Sequence, residues 1–257
     1  KKNILSEKLN SLNKNIEIFG VKENKDKFPV SLNFVENKID NEFYYTVAIT
    51  DLTNTVRNKN IQNCILKISN SVRISTNLKE LYKDIFENLR VLIPTKNFTI
   101  SLIIDDNYIE EYNYSLNRKV SSKRKKLIGN IIEPIVKSRQ SLNYNSEQIQ
   151  YLKDKNKLNK TFKTPKSYIA SPLIISEEII GAIAIKSFDD NNLYDHEHLN
   201  MLKFISDQIA MAIDKVKSVE EMHYLAYYNK MTGLPNRTLF NDRANIAFTN
   251  AKRTNDK

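Results

Sequence analysis

Between residues 167 and 216 the sequence leaves little choice of fold. Tyr168 to Ile175 and Ile179 to Phe188 are apolar, β-branched runs separated by Ser176-Glu177-Glu178, a pattern that predicts an antiparallel hairpin. Leu199, Leu202, Ile205, Ile209, Ala212, Ile213 and Val216 then recur at spacings of three and four. That is the single buried stripe of a long helix, and Asp195 stands where a carboxylate can cap its start. An apolar hairpin and a one-striped helix bury both surfaces only by packing helix on sheet, so the expected class is α+β. Pro172 is expected near a strand start, and Gly181 inside a strand predicts a bulge or a close backbone approach.

The region upstream supplies partners for that unit. Ile61, Cys64, Ile65, Ile68 and Val72 form one stripe of a helix read from Val56 to Ser75. The lone Cys64 sits on the stripe and reads as a small core residue rather than a reactive thiol. A second helix begins after Asn77, with Glu80 placed for a capping box. Leu78, Leu81, Tyr82, Ile85, Leu89 and Leu92 form its buried face, and Pro94 ends it. Phe98 to Ile104 and Tyr108 to Tyr114 predict a hairpin around Asp105-Asp106-Asn107. Leu127 to Val136 reads as helical with Ile131, Ile132 and Ile135 inward, and Glu147 to Leu158 as a short helix.

Helix, hairpin, helical excursion, hairpin and long helix is the element order of a GAF domain. Ser167-Tyr168-Ile169-Ala170-Ser171-Pro172-Leu173, Ile180-Gly181-Ala182-Ile183-Ala184-Ile185 and the helix through Phe204-Ile205-Ser206-Asp207-Gln208-Ile209-Ala210-Met211-Ala212-Ile213 resemble that family most closely. The resemblance implies an antiparallel sheet flanked by helices. It also implies a sensory or dimerising role, with an unidentified small-molecule ligand in a pocket to which Ser101, Tyr112 and Ser171 are the candidate contributors. The Asn-Lys-Phe-Asp-Glu pattern of cyclic-nucleotide-binding members is absent, and no cysteine stands in the pocket region to attach a bilin. His196 and His198, two residues apart, do not share a helical face and read as exposed polar residues.

At the amino end, residues 15–22, Phe28 to Phe34 and Phe43 to Ile49 read as three strands, with Asn37 to Asn41 as a polar turn. Pro29 places the second at an edge or a strand start. Phe28-Pro29-Val30 followed by Asp51-Leu52-Thr53 resembles the C-terminal half of a PAS domain. At the other end, Lys230-Met231-Thr232-Gly233-Leu234-Pro235-Asn236-Arg237 strongly resembles the opening of a GGDEF domain, usually Asp-x-Leu-Thr-Gly-Leu-Pro-Asn-Arg, with Asn229 in place of the Asp and Met231 in place of the first Leu. Bottom-up, Thr232, Gly233, Leu234, Pro235, Asn236 and Arg237 form a turn leading into a helix.

These resemblances divide the chain into 1–54, the PAS-like half; 55–76, a linker helix; 77–217, the GAF domain; and 218–257, a connector helix with the start of a GGDEF domain. They imply a regulatory segment of a bacterial cyclic-di-GMP signalling protein whose parent is a diguanylate cyclase. GTP and Mg²⁺ would be held by downstream carboxylates and a Gly-Gly-Asp/Glu-Glu-Phe loop. No Gly-Gly pair occurs in this chain, so the segment itself is expected to hold no cofactor and to be inactive. Homodimerisation through the helices, a cytoplasmic location, and membrane contact only through segments upstream are the matching expectations. The alternatives are a non-catalytic receptor with a degenerate GGDEF domain, a GGDEF–phosphodiesterase composite, and a polyanion-binding protein. The last rests on the charge of +10, concentrated in Arg118 to Lys126 and Lys153 to Lys166. No groove-reading motif accompanies that charge, so nucleic acid is not an expected partner.

Overall fold

A computed structural model describes residues 15–39, 42–75, 77–115, 118–159, 161–191 and 193–254. The chain forms two units, residues 1–63 and 64–257.

The first unit is an antiparallel sheet in the order β1-β2-β3: β1 (Asn15–Val21), β2 (Lys27–Ile39) and β3 (Glu42–Asp51). The Phe-Pro-Val strand is therefore central, not an edge, and Pro29 is tolerated near its start. The carbonyl of Pro29 accepts a hydrogen bond from the amide of Leu52 at 2.9 Å. Asn37 to Ile39, expected as a turn, continue β2 and pair with Glu42 to Tyr44, while 40 and 41 lie outside the described residues. Polar side chains hid this extension because a strand with a solvated face has no need of apolar residues there. The register places Ile18, Val30, Leu32, Phe34, Tyr45, Val47 and Ile49 on one face. Tyr45 and Ile49 on that face are 60% and 72% exposed.

Asp51 turns the chain into helix α1 (Thr53–Ile74). Its carboxylate accepts from the Thr53 amide at 2.8 Å and the Thr53 hydroxyl at 2.5 Å, and these bonds hold it below the usual Asp value. The Asp-Leu-Thr triplet is thus a helix-starting device.

In the second unit six antiparallel strands run in the order β6-β5-β4-β9-β8-β7. They are β4 (Asn97–Ile103), β5 (Tyr108–Ser115), β6 (Arg118–Lys126), β7 (Leu142–Asn145), β8 (Ser167–Ile175) and β9 (Glu178–Ser187). Helices α2 (Leu78–Leu89) and α5 (His196–Tyr227) contact one another, α2 lying against β5 and α5 along β8. Asn77 caps α2 by accepting from the Glu80 amide, and Asp195 caps α5 in a full capping box with His198. His198 is thereby half-buried against Tyr194 and serves the cap rather than standing free in solvent, while His196 is exposed. Cys64 is buried, as its stripe requires.

Two short helices, α3 (Glu133–Ser138) and α4 (Ser146–Asp154), cover part of the opposite face. Ile109, Leu127, Ile131, Ile132, Ile135, Ile149 and Tyr168 pack there with the small Ala170, Ala182 and Ala184. The helix expected over Leu127 to Val136 shrinks to α3. Gly129 has a φ of +75°, and Pro134 stands in the first turn, so the chain turns before it coils. β6, which the sequence shows as a run of Lys and Arg, is the edge strand, where charge keeps the open ladder from pairing with another chain. Pro172 sits in mid-strand rather than near a start, past the end of β7, whose pairing with β8 stops at Ala170. A final helix, α6 (Arg237–Thr254), follows α5.

Candidate functional site

Alternation along β4, β5 and β9 sends two sets of residues to opposite faces. Phe98, Ile100, Tyr112, Ile183 and Ile185 face α2 and α5. Thr99, Ser101, Glu111, Asn113, Ala182, Ala184 and Lys186 face the other way. Near β7 and β8 that second face is filled by the isoleucine cluster. Toward β5 and β6 it is polar and bounds a cavity of about 780 Å³. Gly129, Asn130, Asn159, Thr161 and Lys163 line its roof, with Phe162 and Phe188 at the wall. The roof is held by the Asn159 amide donating to the Gly129 carbonyl at 2.9 Å. Lys153 also reaches across to the Phe162 carbonyl and, at 2.7 Å, to the Thr164 hydroxyl.

The floor is one connected network. Glu111, only 7% exposed, accepts from Lys125 at 2.6 Å and from the Asn113 amide at 2.8 Å. The Asn113 carbonyl oxygen in turn accepts from Thr99 at 2.9 Å and from Lys186 at 3.3 Å. Burial pushes the Glu111 carboxyl up. The hydrogen bonds from Asn113 and Lys125 and the charges of Lys125 and Lys186 outweigh it and hold the group below its ordinary value. Its stabilising effect is therefore whole at neutral pH and is lost as pH falls from the ordinary carboxylate range through the lowered one. Glu111→Gln keeps the shape but strands two cations. It is expected to cost about 2 kcal/mol at neutral pH, toward the low side because Lys125 is open to solvent. Urea melts at neutral and at acid pH check this, since the difference from the parent should shrink as acid protonates Glu111.

Ser101, Tyr112 and Ser171 do not come together. Ser101 points to the cavity-side face but is fully buried, and its hydroxyl has no hydrogen-bond partner among the described residues. Tyr112 faces the helices, its ring 4.8 Å from that of Tyr82. Ser171 lies under α5, its hydroxyl 2.9 Å from that of Ser206 and 3.0 Å from that of Ser141. The cavity is built instead by Glu111, Asn113, Lys125 and Lys186. Their signal was present in the polar half of the alternation through Tyr108 to Tyr114 and in Lys186 two residues past Ala184. It passed unnoticed because a polar face on a strand is also what plain solvation produces. Among the described residues no group of three or more His, Cys, Asp or Glu could hold a metal.

The second site is the junction after α5. Asn229 accepts from the amides of Met231 at 3.0 Å and Thr232 at 3.1 Å, and Gly233, at φ +67°, donates to the Asn229 carbonyl at 2.8 Å. Asn229 thus serves both amides through its one side-chain oxygen. Asn236 does two jobs. Its oxygen caps α6 by accepting from Thr238 and Leu239 at 3.0 and 3.1 Å, while its NH₂ donates to the Ala226 carbonyl at 2.9 Å. Only a carboxamide of this length both caps the new helix and ties it to the end of the old one. Tyr228 and Pro235 close the turn as an antiparallel bridge.

A sheet carrying two helices on one face and a roofed cavity on the other is the architecture of a small sensory domain. The profile of the GAF domain family matches residues 75–214, and the chain belongs to that family, whose members are sensory and regulatory domains of signalling proteins. Its fold is similar to the GAF domain of a phosphoenolpyruvate-protein phosphotransferase from Coxiella burnetii. That similarity has a TM-score of 0.52 at 14% identity, covering 63% of this chain and 98% of the other. The GAF domain of the corresponding Acinetobacter protein is similar with a TM-score of 0.50 at 12% identity, covering 63% and 97%. No curated protein matches the chain. No helix among the described residues is long and apolar enough to cross a membrane.

Proposed function

We propose that this chain is the sensory and regulatory segment of a cyclic-di-GMP signalling protein, and that its parent is a diguanylate cyclase. The observation that carries the reading is the Asn229–Asn236 turn. Its residues resemble the opening of a GGDEF domain, and Asn229, Gly233, Pro235 and Asn236 each have a defined task in joining α5 to α6. The three strands ending in Asp51-Leu52-Thr53 act in this reading as the closing half of a PAS domain. GTP and Mg²⁺ belong to the cyclase portion, the segment works in the cytoplasm, and its own role is mechanical. Ligand or partner events in the sensory domains shift α1 and α5 and so set the separation of two cyclase domains.

Such a relay needs a dimer, and α5 offers the surface. Its buried stripe ends at Val216, yet the helix continues to Tyr227. On another side Phe204 and Met211, seven residues apart, are 60% and 51% exposed, and Leu225 stands fourteen residues past Met211, in the same heptad position with Ser218 between them and Met222 nearby. The test uses the parent protein with its cyclase portion. Phe204→Glu together with Met211→Glu should lower both self-association, by light scattering, and cyclic-di-GMP formation from GTP by about tenfold or more. GTP binding without turnover in the unmodified parent would instead establish the receptor reading. Unchanged turnover in a monomeric variant would remove the relay.

A further inference from the structure

The cavity on the sheet has an unbalanced charge. Lys123, Lys125, Lys163 and Lys186 line it, and the one carboxylate among the lining residues is Glu111. Glu111 is already bound to Lys125 at 2.6 Å. Lys186 has a single neutral acceptor, the Asn113 oxygen, at the long distance of 3.3 Å. Burial lowers its affinity for the proton, Glu111 opposes that, and the neighbouring Lys125 adds to it. Lys163 at the lip rests its ammonium 4.4 Å from the centroid of the Phe188 ring. The one hydrogen bond of the Lys186 ammonium among the described residues is long and neutral, and Glu111 is shared with Lys125, so a further anionic group would stabilise this half-buried ammonium.

We propose that this cavity binds a small organic polyanion, one anionic group of which seats on Lys186 while Lys123 and Lys163 close over the remainder. The proposal rests on the reading of the domain as a sensor and names the chemistry it senses. Three features support it. The volume of about 780 Å³ lies within the range of small-molecule sites, on the order of 300–1,000 Å³. Lys123 and Lys125 come from β6, Lys186 from β9 and Lys163 from the chain just before β8, so they converge rather than share one solvated strand face. Glu111 is hydrogen-bonded to Lys125 and Asn113, and with Lys123, Lys163 and Lys186 also lining the cavity the lysines outnumber this carboxylate. Carboxylates and phosphates share the recognising chemistry, and the probes separate them.

Isothermal titration of the chain with citrate and with pyrophosphate is the experiment, at constant ionic strength. At least one probe should bind at one site per chain with a dissociation constant below about 1 mM. Citrate alone assigns a carboxylate ligand, pyrophosphate alone a phosphate, and both together the shared anion chemistry. Lys186→Gln should weaken binding about tenfold, whereas Lys83→Gln, on the exposed side of α2, should leave it within about twofold. Lys163→Gln, on an exposed lip residue, should weaken it about threefold with an unchanged melting temperature, and it carries the test if the Lys186 variant misfolds. Absence of heat with both probes at about 5 mM, or equal weakening by Lys83→Gln, overturns the site. Calorimetry on this segment does not depend on GTP turnover, so its failure leaves the relay to be judged separately.

Discussion

Gly181→Val should leave the GAF domain without a cooperative melt, and Gly181→Ala alone should cost about 3–5 kcal/mol. A Cβ built on Gly181 would stand 2.1 Å from the Ser101 carbonyl oxygen and 3.1 Å from the Leu102 Cα. These are backbone atoms of β4, the neighbouring central strand, with which Gly181 pairs directly. Relief requires β4 and β9 to part, and theirs is the junction joining the two halves of the six-stranded sheet. A typical domain has only about 5–15 kcal/mol in hand, so the loss reaches the threshold of folding. Gly20 is the control. A Cβ there would meet ring carbons of Phe28 at 2.8 Å and a Val30 methyl carbon at 2.9 Å, side-chain atoms that can rotate away. Gly20→Ala should therefore be tolerated far better. Circular dichroism melts decide it: a Gly181→Ala variant within about 4 °C of the parent contradicts the close approach.

The special role of Gly181 is readable in the sequence, because a glycine inside an otherwise β-branched run marks a place where the chain bulges or another backbone comes close. The caps of α2 and α5 and both main hairpins are readable too, since those depend on neighbours in sequence. β6 and β7 are not. A strand made of Lys and Arg resembles a solvated loop, and the four residues at 142–145, Leu-Asn-Tyr-Asn, alternate but are too few to stand out as a strand. Both become strands only because β5 and β8 offer open edges, a fact of tertiary pairing. The candidate site failed for a related reason. Ser101, Tyr112 and Ser171 each sit on a strand, but strands alternate, and a face cannot be assigned without knowing which side the helices take. Register puts Tyr112 and Ser171 under the helices and leaves Glu111, Asn113 and Lys186 to the cavity. The turn at the α5–α6 junction, by contrast, is legible, because each of its hydrogen bonds joins residues no more than ten apart in the chain.

Phe86→Ala should lower stability by about 4 kcal/mol and the melting temperature by about 10 °C. Phe86 is fully buried on α2, its ring 4.5 Å from Tyr114 on β5 and 6.0 Å from Phe98 on β4. The side chain thus spans both strands that α2 covers, and truncation removes its transfer energy, leaves a cavity and breaks two aromatic contacts. Tyr82, one turn earlier on the same face, predicts the opposite sign. Its ring is buried, but its hydroxyl finds no hydrogen-bond partner among the described residues, and burial drives its pKa upward. Tyr82→Phe removes a desolvated polar atom and should be neutral or stabilising by about 1 kcal/mol. The pair separates packing from polarity on one helix face. It also bears on signalling, because the Glu220 carboxylate of α5 accepts from the Leu78 amide at the first turn of α2, at 3.2 Å. A helix α2 loosened by Phe86→Ala releases that anchor, so amide exchange should rise at Leu78 and along α5 near Glu220 as well as beside residue 86. Exchange confined to α2 would mean that the two helices move independently, and that the sheet does not hold the outgoing helix through α2.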